Sequence, residues 1–396
     1  MKLIFLYIKL FFVGAVFMTC SRQERSDSNT PELSQSGLPM MRSSAVRYES
    51  LDEHYVQSKK NCIEQYCNKF WSNPNNNLSF LVAKDGQIIY ERYQGMGYRE
   101  KDIAITSETP LHLASVSKVL TATAIMLLVD YGKLDLDQKV NTIIDNFPYP
   151  EITVRTLLNH RSGLRNYAYF TEDKGVWDRK KTLTNQDVAN LLAEKNIQLD
   201  FPTNKRFAYC NTNYALLALI IEKTSGVTYA QAMQEMIFKP LGMNHTYVFD
   251  YDKDRETAIP SYKGNNIRLA YDYLDAVYGD KNIYSTPRDL LKFDLARNAP
   301  TFLSEKLRNQ IFKGYSYETK GTKNYGLGTR MIEWEGGQKF FFHNGWWHGN
   351  TSSYISLLKE NVTIIALSNK YNKNVYTAKK VAPVFGDYPF DFVDEE

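Results

Sequence analysis

Ser115 and Lys118 form an S-x-x-K motif whose residue types suit nucleophilic catalysis. Ser115 follows the apolar segment 111–114 and opens a long apolar stretch that favours a helix. Residues three apart in a helix lie on one face, so the lysine amine can reach the serine hydroxyl. The N–H groups at the start of such a helix favour the negative charge of an oxyanion. The motif therefore predicts a nucleophile and its activator, with an ordinary helix-capping serine as the alternative.

A second S-x-x-K match runs from Ser356 to Lys359. It falls in a predicted strand, where residues three apart point to opposite faces and cannot act together. The match at Ser115 is therefore the one expected to carry chemistry. A lysine that serves as a base near neutral pH needs burial and neighbouring charge, because the ordinary pKa of lysine is about 10.4.

Two further motifs follow along the chain. Tyr209 and Asn211 enclose Cys210 in a Y-x-N pattern, and His343 and Gly345 form an H-x-G pattern at the end of a predicted strand. Cys210 is interpreted as a small buried residue between two site residues rather than as a reactive thiol. The presence of all three motifs in this order favours catalysis over capping at the serine.

The three motifs resemble those of the serine β-lactamase and penicillin-binding-protein superfamily, in particular the branch with class C β-lactamases, D-amino-acid peptidases and related esterases. Two longer segments add to the resemblance, LLNHRSGL at 157–164 and IYSTPRDL at 283–290. The likeness extends over roughly residues 78–369. It implies the α/β (α+β) fold of that superfamily, an antiparallel sheet flanked by helices plus a mainly helical region, with the site in the cleft between them.

By position, the resemblance implies that Ser115 attacks a substrate carbonyl while Lys118 and Tyr209 move its proton. Asn211 would hold the substrate amide, and the oxyanion would lie between the backbone N–H groups of Ser115 and Trp346. The sequence leaves open whether Lys118 or Tyr209 is the general base.

His343 and Gly345 belong to the third, substrate-binding motif, in which class C β-lactamases carry lysine where this chain has histidine. A lysine is a permanent cation for a substrate carboxylate, whereas an imidazole with a pKa near 6.5 is mostly neutral at pH 7. Carboxylate recognition by position 343 is therefore expected to weaken. The peptidases and esterases of the branch often have the H-x-G form, which favours an ester or a D-amino-acid-containing peptide or amide, such as one derived from the cell wall.

Two other functions stay open, a true β-lactamase and a non-catalytic penicillin- or peptidoglycan-binding lipoprotein. The sequence contains no G-x-S-x-G, H-E-x-x-H or phosphate-loop motif, so no metal and no cofactor are predicted. The net charge is +4 and the 48 basic residues are scattered, which indicates no nucleic-acid partner. The expected partner is a small-molecule or peptidoglycan-fragment substrate.

The five histidines outside the third motif are predicted to be structural: His54, His112, His160, His245 and His348. Of these, His160 is expected to bond a backbone group, and His348 is close enough to His343 in sequence to line the cleft.

The chain opens with a mostly apolar run over residues 3–18, which predicts a secretory signal at 1–20. Cys20 resembles the processing site of bacterial lipoproteins, although Phe17 and Thr19 depart from its usual residues. Lipid chains on Cys20 would anchor the protein to a membrane, each buried methylene adding roughly 0.8 kcal/mol. Cleavage and soluble release is the alternative. The expected location is the periplasm or the outer membrane of a Gram-negative-type bacterium.

Residues 21–45 are rich in Ser, Pro, Gln and Asn and predict a flexible tether, followed by a hydrolase domain at 46–396 with a helical region at about 111–300. Cys62 and Cys67 lie in the first predicted helix, too far apart to bridge, and are predicted to be free thiols. The expected helices are 48–71, 115–131, 184–195, 212–224, 229–237 and 373–380. The expected strands are 78–84, 87–93, 325–334, 339–343, 351–359 and 362–368.

Overall fold

The structure is a computed structural model that describes residues 32–390. The strands are β1 (Glu32–Leu33), β2 (Pro39–Met40), β3 (Leu78–Lys84), β4 (Gln87–Gln94), β5 (Met96–Tyr98), β6 (Ile103–Ala104), β7 (Leu111–His112), β8 (Tyr247–Val248), β9 (Ile283–Ser285), β10 (Lys323–Tyr325), β11 (Arg330–Glu333), β12 (Lys339–Trp347), β13 (Asn350–Leu357) and β14 (Val362–Ser368).

The helices are α1 (Glu53–Phe70), α2 (Ser117–Asp130), α3 (Val154–Leu158), α4 (Tyr167–Phe170), α5 (Asn185–Glu194), α6 (Asn211–Ser225), α7 (Tyr229–Met233), α8 (Tyr251–Asp254), α9 (Pro287–Asn298) and α10 (Glu305–Ile311). Short 3₁₀ turns, among them Ala114–Val116 and Lys373–Val384, and a π-helical turn at Gln234–Phe238 complete the described chain. None of these helices between residues 32 and 390 is both long and apolar enough to cross a bilayer.

Seven strands form one antiparallel sheet in the order β10-β11-β12-β13-β14-β3-β4. Strands from the end of the chain therefore lie beside strands from its beginning, and Val362 of β14 pairs with Lys84 of β3. The β3–β4 hairpin turns at Asp85-Gly86, where Gly86 has φ +82°, a conformation that glycine adopts without strain. This confirms the mixed α/β fold with a central antiparallel sheet.

Both faces of this sheet are covered, which explains why its central strands are apolar throughout rather than alternating. Phe80 and Val82 of β3 pack with α1 and the 373–384 segment, whereas Leu81 and Ala83 face α9. Successive side chains of a strand point to opposite faces, so one apolar run serves both layers. Each buried aliphatic side chain contributes roughly 1.5–3 kcal/mol.

The helical region lies between β7 and α9 and packs around α2 and α6, both almost wholly buried. The three short strands β7, β9 and β8 form a small separate sheet at its base. This arrangement places the start of α2, and with it Ser115, next to the main sheet, because the 3₁₀ turn before α2 lies against β12 and β13.

Some boundaries differ from the sequence-based predictions. The first helix begins at Glu53 rather than at residue 48, because the Asp52 side chain caps it by accepting a hydrogen bond from the Tyr55 N–H. The strand predicted at 325–334 is two strands, broken by Gly328 at φ +88°, where a Cβ would collide with Ala122 of α2. The segment 373–384 forms 3₁₀ turns instead of an α-helix.

The predicted signal at 1–20 and Cys20 lie outside the described residues. From residue 32 onward, the structure differs from the flexible tether predicted to end at 45. Leu38 and Met41 are buried in the main core, and the Met41 N–H donates to the Met236 carbonyl at 2.8 Å. Apolar side chains in a polar stretch account for this packing. Cys62 and Cys67 are free thiols, as predicted.

Candidate active site

Ser115 lies in the 3₁₀ turn that leads from β7 into α2. The residue before it, Ala114, has φ +47°, a left-handed conformation unusual for a residue with a side chain. Two hydrogen bonds hold this turn: the Ala114 N–H donates to His112 Nδ1 at 3.0 Å, and the Leu113 N–H donates to the Ile283 carbonyl at 2.8 Å. The nucleophile candidate therefore stands on a strained turn held from both sides.

Lys118 is the second residue of α2, one turn after Ser115, and its side chain is completely buried. Its Nζ is 3.1 Å from Ser115 Oγ and donates to the backbone carbonyl of Asp280 at 2.7 Å. With the carbonyl taking one N–H, a neutral amine can present its lone pair to the serine hydroxyl. This is the geometry that general-base activation of a serine requires.

Tyr209 and Asn211 present unused hydrogen-bonding atoms. The Tyr209 hydroxyl and Asn211 Oδ1 are buried without a hydrogen-bond partner among the described residues. Most buried polar atoms are hydrogen-bonded, so these two remain available to a substrate or a reacting proton. Lys118 Nζ lies 5.1 Å from the centre of the Tyr209 ring, so the phenol and the amine share one site.

The Y-x-N segment rests on His160, which follows the end of α3 and adopts φ +57°. His160 Nδ1 accepts hydrogen bonds from the Cys210 N–H at 3.2 Å and from the Asn213 side chain at 3.0 Å. The His160 and Tyr209 rings pack with centroids 4.4 Å apart. His160 thus bonds a backbone group, as expected, and positions Tyr209 from below.

Burial also fixes the protonation states around Tyr209. Burial, with the nearby Lys118 and Arg330 charges adding to it, lowers the pKa of His160 well below its usual value. Burial raises the pKa of the Cys210 thiol to about 11, which makes Cys210 an unreactive core residue.

Strand β12 brings the third motif against the nucleophile. A Cβ on Gly345 would lie only 2.9 Å from the Ser115 backbone nitrogen and would collide with Leu113 and Ser352, so only glycine permits this approach. The pairing of β11 with β12 ends at Arg330↔Phe342, whereas β13 continues along β12 to Trp347. The stretch 343–347 therefore has one edge free of strand pairing, where the predicted oxyanion donor Trp346 lies with its side chain 58% exposed.

His343 is neutral. Its Nδ1 faces the Asn344 carbonyl at 2.9 Å, which can only accept, so Nδ1 carries the proton. Its Nε2 then accepts from the Tyr325 hydroxyl at 3.2 Å. Burial, reinforced by the positive charges of Arg330 and Lys118, lowers the pKa of His343 well below its usual value. A histidine in this state offers no cation to a substrate carboxylate.

Arg330 supplies the cation that His343 lacks, and it was not among the residues selected from the sequence. Its guanidinium lies 4.5 Å from the centre of the Tyr209 ring, and within the described part of the chain no ion pair with a carboxylate is found for it. The signal that could have identified it is the predicted strand pair around Gly336-Gly337, whose hairpin register places Arg330 opposite Phe342, next to His343.

Among the residues that the structure describes, one group could hold a metal ion: Asp272, Asp275 and His348. Its central carboxylate is already used, because Asp275 accepts from Trp347 Nε1 at 2.6 Å and pairs with His348 Nε2 at 3.0 Å. The geometry is that of an ion pair joining two loops.

A cavity of about 800 Å³ lies behind the 157–164 segment and is lined by Arg155, Arg161, Tyr149 and Tyr315, not by Ser115, Lys118 or Tyr209. We assign the active site by the location of the reacting groups, which lie at the start of α2, and not by the size of this cavity.

Of the two S-x-x-K matches, only the one at Ser115 brings its residues together. Ser356 is buried in β13, where its Oγ accepts from Asn298 Nδ2 at 2.7 Å, and Lys359 lies beyond the end of that strand. The structure therefore gathers Ser115, Lys118, Tyr209, Asn211 and the third motif into one place and leaves the second match apart.

Comparison with known proteins gives a consistent result. A family model described as Beta-lactamase matches residues 75–382. The chain is 32% identical over 317 residues to Penicillin-binding protein 4* of Bacillus subtilis (strain 168), covering 76% of this chain and 69% of that protein. It is 25% identical over 290 residues to a D-aminopeptidase of Brucella anthropi, covering 73% of this chain and 55% of that protein.

Among solved structures, a penicillin binding protein from Bacillus halodurans matches with a TM-score of 0.68 at 22% identity. The match covers 84% of this chain and 98% of that one. At this identity the likeness shows a shared fold. The motifs read from the sequence, the geometry of the site and the fold all indicate the same family.

Proposed function

The chain belongs to the beta-lactamase family of serine hydrolases, and we propose that it cleaves an amide or ester of a D-amino acid through an acyl-enzyme on Ser115. The observation that carries the proposal is the pair of contacts made by Lys118 Nζ, to Ser115 Oγ at 3.1 Å and to the Asp280 carbonyl at 2.7 Å. A buried amine held in this way is aimed at one hydroxyl.

The reaction has two halves. Ser115 Oγ attacks the substrate carbonyl carbon while its proton passes to the Lys118 amine or the Tyr209 oxygen. The tetrahedral oxyanion faces backbone N–H groups of Ser115 and Trp346, each worth about 3 kcal/mol in comparable sites. The C–N or C–O bond then breaks, and the leaving amine or alcohol takes the proton. Water repeats the attack on the ester, which releases the acid and restores Ser115.

The charges around the site narrow the substrate class. His343 is neutral, and the Arg330 guanidinium over Tyr209 has no carboxylate partner within the described chain. A guanidinium recognises carboxylate or phosphate through paired hydrogen bonds. We therefore assign Arg330 to an anionic group on the leaving part of the substrate. The names of the relatives, a D-aminopeptidase and a penicillin-binding protein, support a D-configured substrate.

The test combines labelling and turnover. Intact-mass analysis after treatment with a fluorophosphonate is expected to show one adduct on the wild-type protein and none on Ser115→Ala. Paired D- and L-alanine p-nitroanilides and a p-nitrophenyl ester then measure turnover, with the D-isomer preferred.

A β-lactam included in the same series separates the remaining possibilities. Slow release of the β-lactam adduct supports a peptidase or esterase, whereas rapid turnover would make the chain a true β-lactamase. No adduct and no turnover with any reagent would overturn the proposal and favour a binding protein.

We further propose that the enzyme works in the bacterial cell envelope, attached through Cys20. The apolar run at 3–18 followed by Cys20 supports this placement. Mass analysis of the mature N-terminus in the native host distinguishes an acylated Cys20 from simple cleavage. Cys20→Ser is expected to release the protein from the membrane fraction, and retention of that variant would contradict attachment at this residue.

A further inference from the structure

Lys281 is a buried lysine that the reaction steps above do not use. Its side chain is 2% exposed, and its Nζ donates to the Tyr167 hydroxyl at 2.7 Å and to the Val277 carbonyl at 2.9 Å. The ammonium also lies 3.7 Å from Asp280 Oδ1 and 4.7 Å from the centre of the Trp347 ring. A fully buried lysine is rare, and this one is held by four groups.

The network around Lys281 reaches the catalytic amine through a single residue. Tyr167 donates its hydroxyl proton to Asp280 Oδ2 at 2.9 Å, so Asp280, Tyr167 and Lys281 form a closed ring of contacts. The backbone carbonyl of the same Asp280 accepts the hydrogen bond of Lys118. The ring therefore fixes the atom that aims Lys118.

Several charged and titratable groups face Lys281 from the elements packed around it. They are Asp280 beside it, Asp272 and Asp275 from the preceding loop, Lys118 from α2, Tyr167 from α4, His112 from β7 and His348 after β12. Lys118 is the group among them that belongs to the reaction.

We propose that Lys281 is a positioning residue for acylation, which holds the Asp280 carbonyl against Lys118 and places a second positive charge behind the catalytic pair. This inference rests on the proposed function. The third motif supplies no cation, because His343 is neutral. Besides Arg330, Lys281 adds a positive charge from the interior, close to Lys118.

The physical reason is like-charge repulsion in a poorly solvated place. A cation near Lys118 disfavours a second ammonium and favours the neutral amine. If Tyr209 is the base instead, the same cation favours its phenolate. In both cases Lys281 favours the form of the base that can accept the Ser115 proton. Burial lowers the pKa of Lys281 itself, while Asp280 and Asp275 oppose that effect.

The experiment compares three variants, Asp280→Asn, Lys281→Met and the double variant, through the pH dependence of kcat/KM on a neutral p-nitrophenyl ester. Asp280→Asn keeps the shape of the side chain and removes the anion, so the acidic limb is expected to move to lower pH. Adding Lys281→Met in that background removes the cation and moves the limb back by about one pH unit.

The Asp280→Asn background matters because Lys281→Met alone leaves the Asp280 carboxylate buried without its cation and is expected to fold poorly. In Asp280→Asn, by contrast, Lys281 still interacts with the charges of Asp275 and Asp272. Lys292→Met is the matched control, since Lys292 pairs with Asp289 on α9 and is expected to leave the limb in place. Thermal unfolding of each variant verifies that it is folded.

Opposite shifts for the loss of Asp280 and of Lys281 support the proposal, because a purely structural role would lower kcat without moving the limb in two directions. An unmoved limb in the folded double variant, relative to Asp280→Asn, overturns it. Fluorophosphonate labelling of the wild-type protein is measured in parallel. If the proposed function is wrong, the wild-type protein stays unlabelled, which distinguishes that failure from a failure of the role proposed for Lys281.

Discussion

His112 Nδ1 accepts a hydrogen bond from the Ala114 N–H at 3.0 Å, one residue before the nucleophile. Its Nε2 therefore carries the proton and donates to Asn282 Oδ1 at 3.1 Å. Burial lowers the pKa of His112 to about 4, so the ring keeps this neutral form at physiological pH. A histidine with no chemistry of its own thus holds the left-handed turn that presents Ser115.

His112→Ala is expected to slow fluorophosphonate labelling of Ser115 and to destabilise the protein by about 1–3 kcal/mol, because the Ala114 N–H is left buried and unpaired. Labelling rate and thermal unfolding measure the two effects. His54→Ala, at an exposed histidine of α1, is the control and should change neither. Equal labelling rates for His112→Ala and wild type would show that the turn holds its shape without this bond.

Tyr209→Phe is expected to lower kcat by roughly 10²–10⁴-fold, the usual contribution of a positioned proton-transfer group. Its hydroxyl has no hydrogen-bond partner in the described chain, so stability should not fall. Tyr214→Phe is the matched control, because Tyr214 donates to the Leu158 carbonyl at 2.8 Å and its loss should reduce stability by about 1 kcal/mol. If Tyr209→Phe lowered stability but left kcat unchanged, Tyr209 would have no part in the chemistry.

Gly345→Ala is expected to abolish most labelling of Ser115, because the new Cβ would lie 2.9 Å from the Ser115 nitrogen and force β12 away. Gly86→Ala introduces a comparable backbone clash in the β3–β4 turn, far from the site. If Gly345→Ala and Gly86→Ala lower activity equally for the same loss of stability, the close approach of β12 to Ser115 is not needed for catalysis. The measurement is the rate of Ser115 labelling in each variant, at a temperature where the same fraction of each protein is folded.

Arg330→Gln is expected to reduce kcat/KM by about tenfold to a hundredfold for substrates whose leaving group is anionic, since a charge-assisted hydrogen bond contributes about 1.5–3 kcal/mol. Neutral p-nitrophenyl esters should be much less affected. Arg330→Lys keeps the charge but lacks the paired donors. Its kcat/KM for anionic substrates should therefore lie between that of the wild-type protein and that of Arg330→Gln. An equal loss on neutral and anionic substrates would assign Arg330 to the support of Tyr209 rather than to recognition.

The ion pair of His348 with Asp275 should make stability depend on pH. Burial alone would lower the pKa of His348, but the hydrogen bond and charge of Asp275 outweigh it and raise that pKa. A raised histidine pKa gives stability that is complete below the unfolded value near 6.5 and is lost as pH rises through the folded value. His348→Gln should therefore destabilise the protein more at pH 6 than at pH 9, as measured by urea unfolding. A pH-independent difference would contradict the ion pair.

The sequence contained the local features of this molecule but not its long-range pairings. Asp85-Gly86 predicts the β3–β4 hairpin because turn chemistry acts between neighbours. The spacing of Ser115 and Lys118 likewise predicts their contact, since three residues of helix suffice. Gly328 breaks a predicted strand only because α2 lies against it, and no neighbour of Gly328 in sequence signals that contact.

The predicted site residues belong to local sequence motifs, whereas Arg330 and Lys281 depend on long-range contacts. The three motifs are short and readable in sequence, whereas Arg330 acts through the register of β11 on β12. Lys281 acts in a network with Tyr167, which lies more than a hundred residues away along the chain. Residues that act through tertiary neighbours need the fold before their role is visible.

The pairing of β3 with β14 sets the order of events in the making of this protein. The strand at 78–84 has no central partner until the strand at 362–368 has been synthesised, because its other neighbour forms only the edge hairpin with it. Contacts of such high contact order form late and slowly. The main sheet is therefore completed only after residues 362–368 have been synthesised, so the support on which the turn of Ser115 rests is among the last parts of the molecule to form.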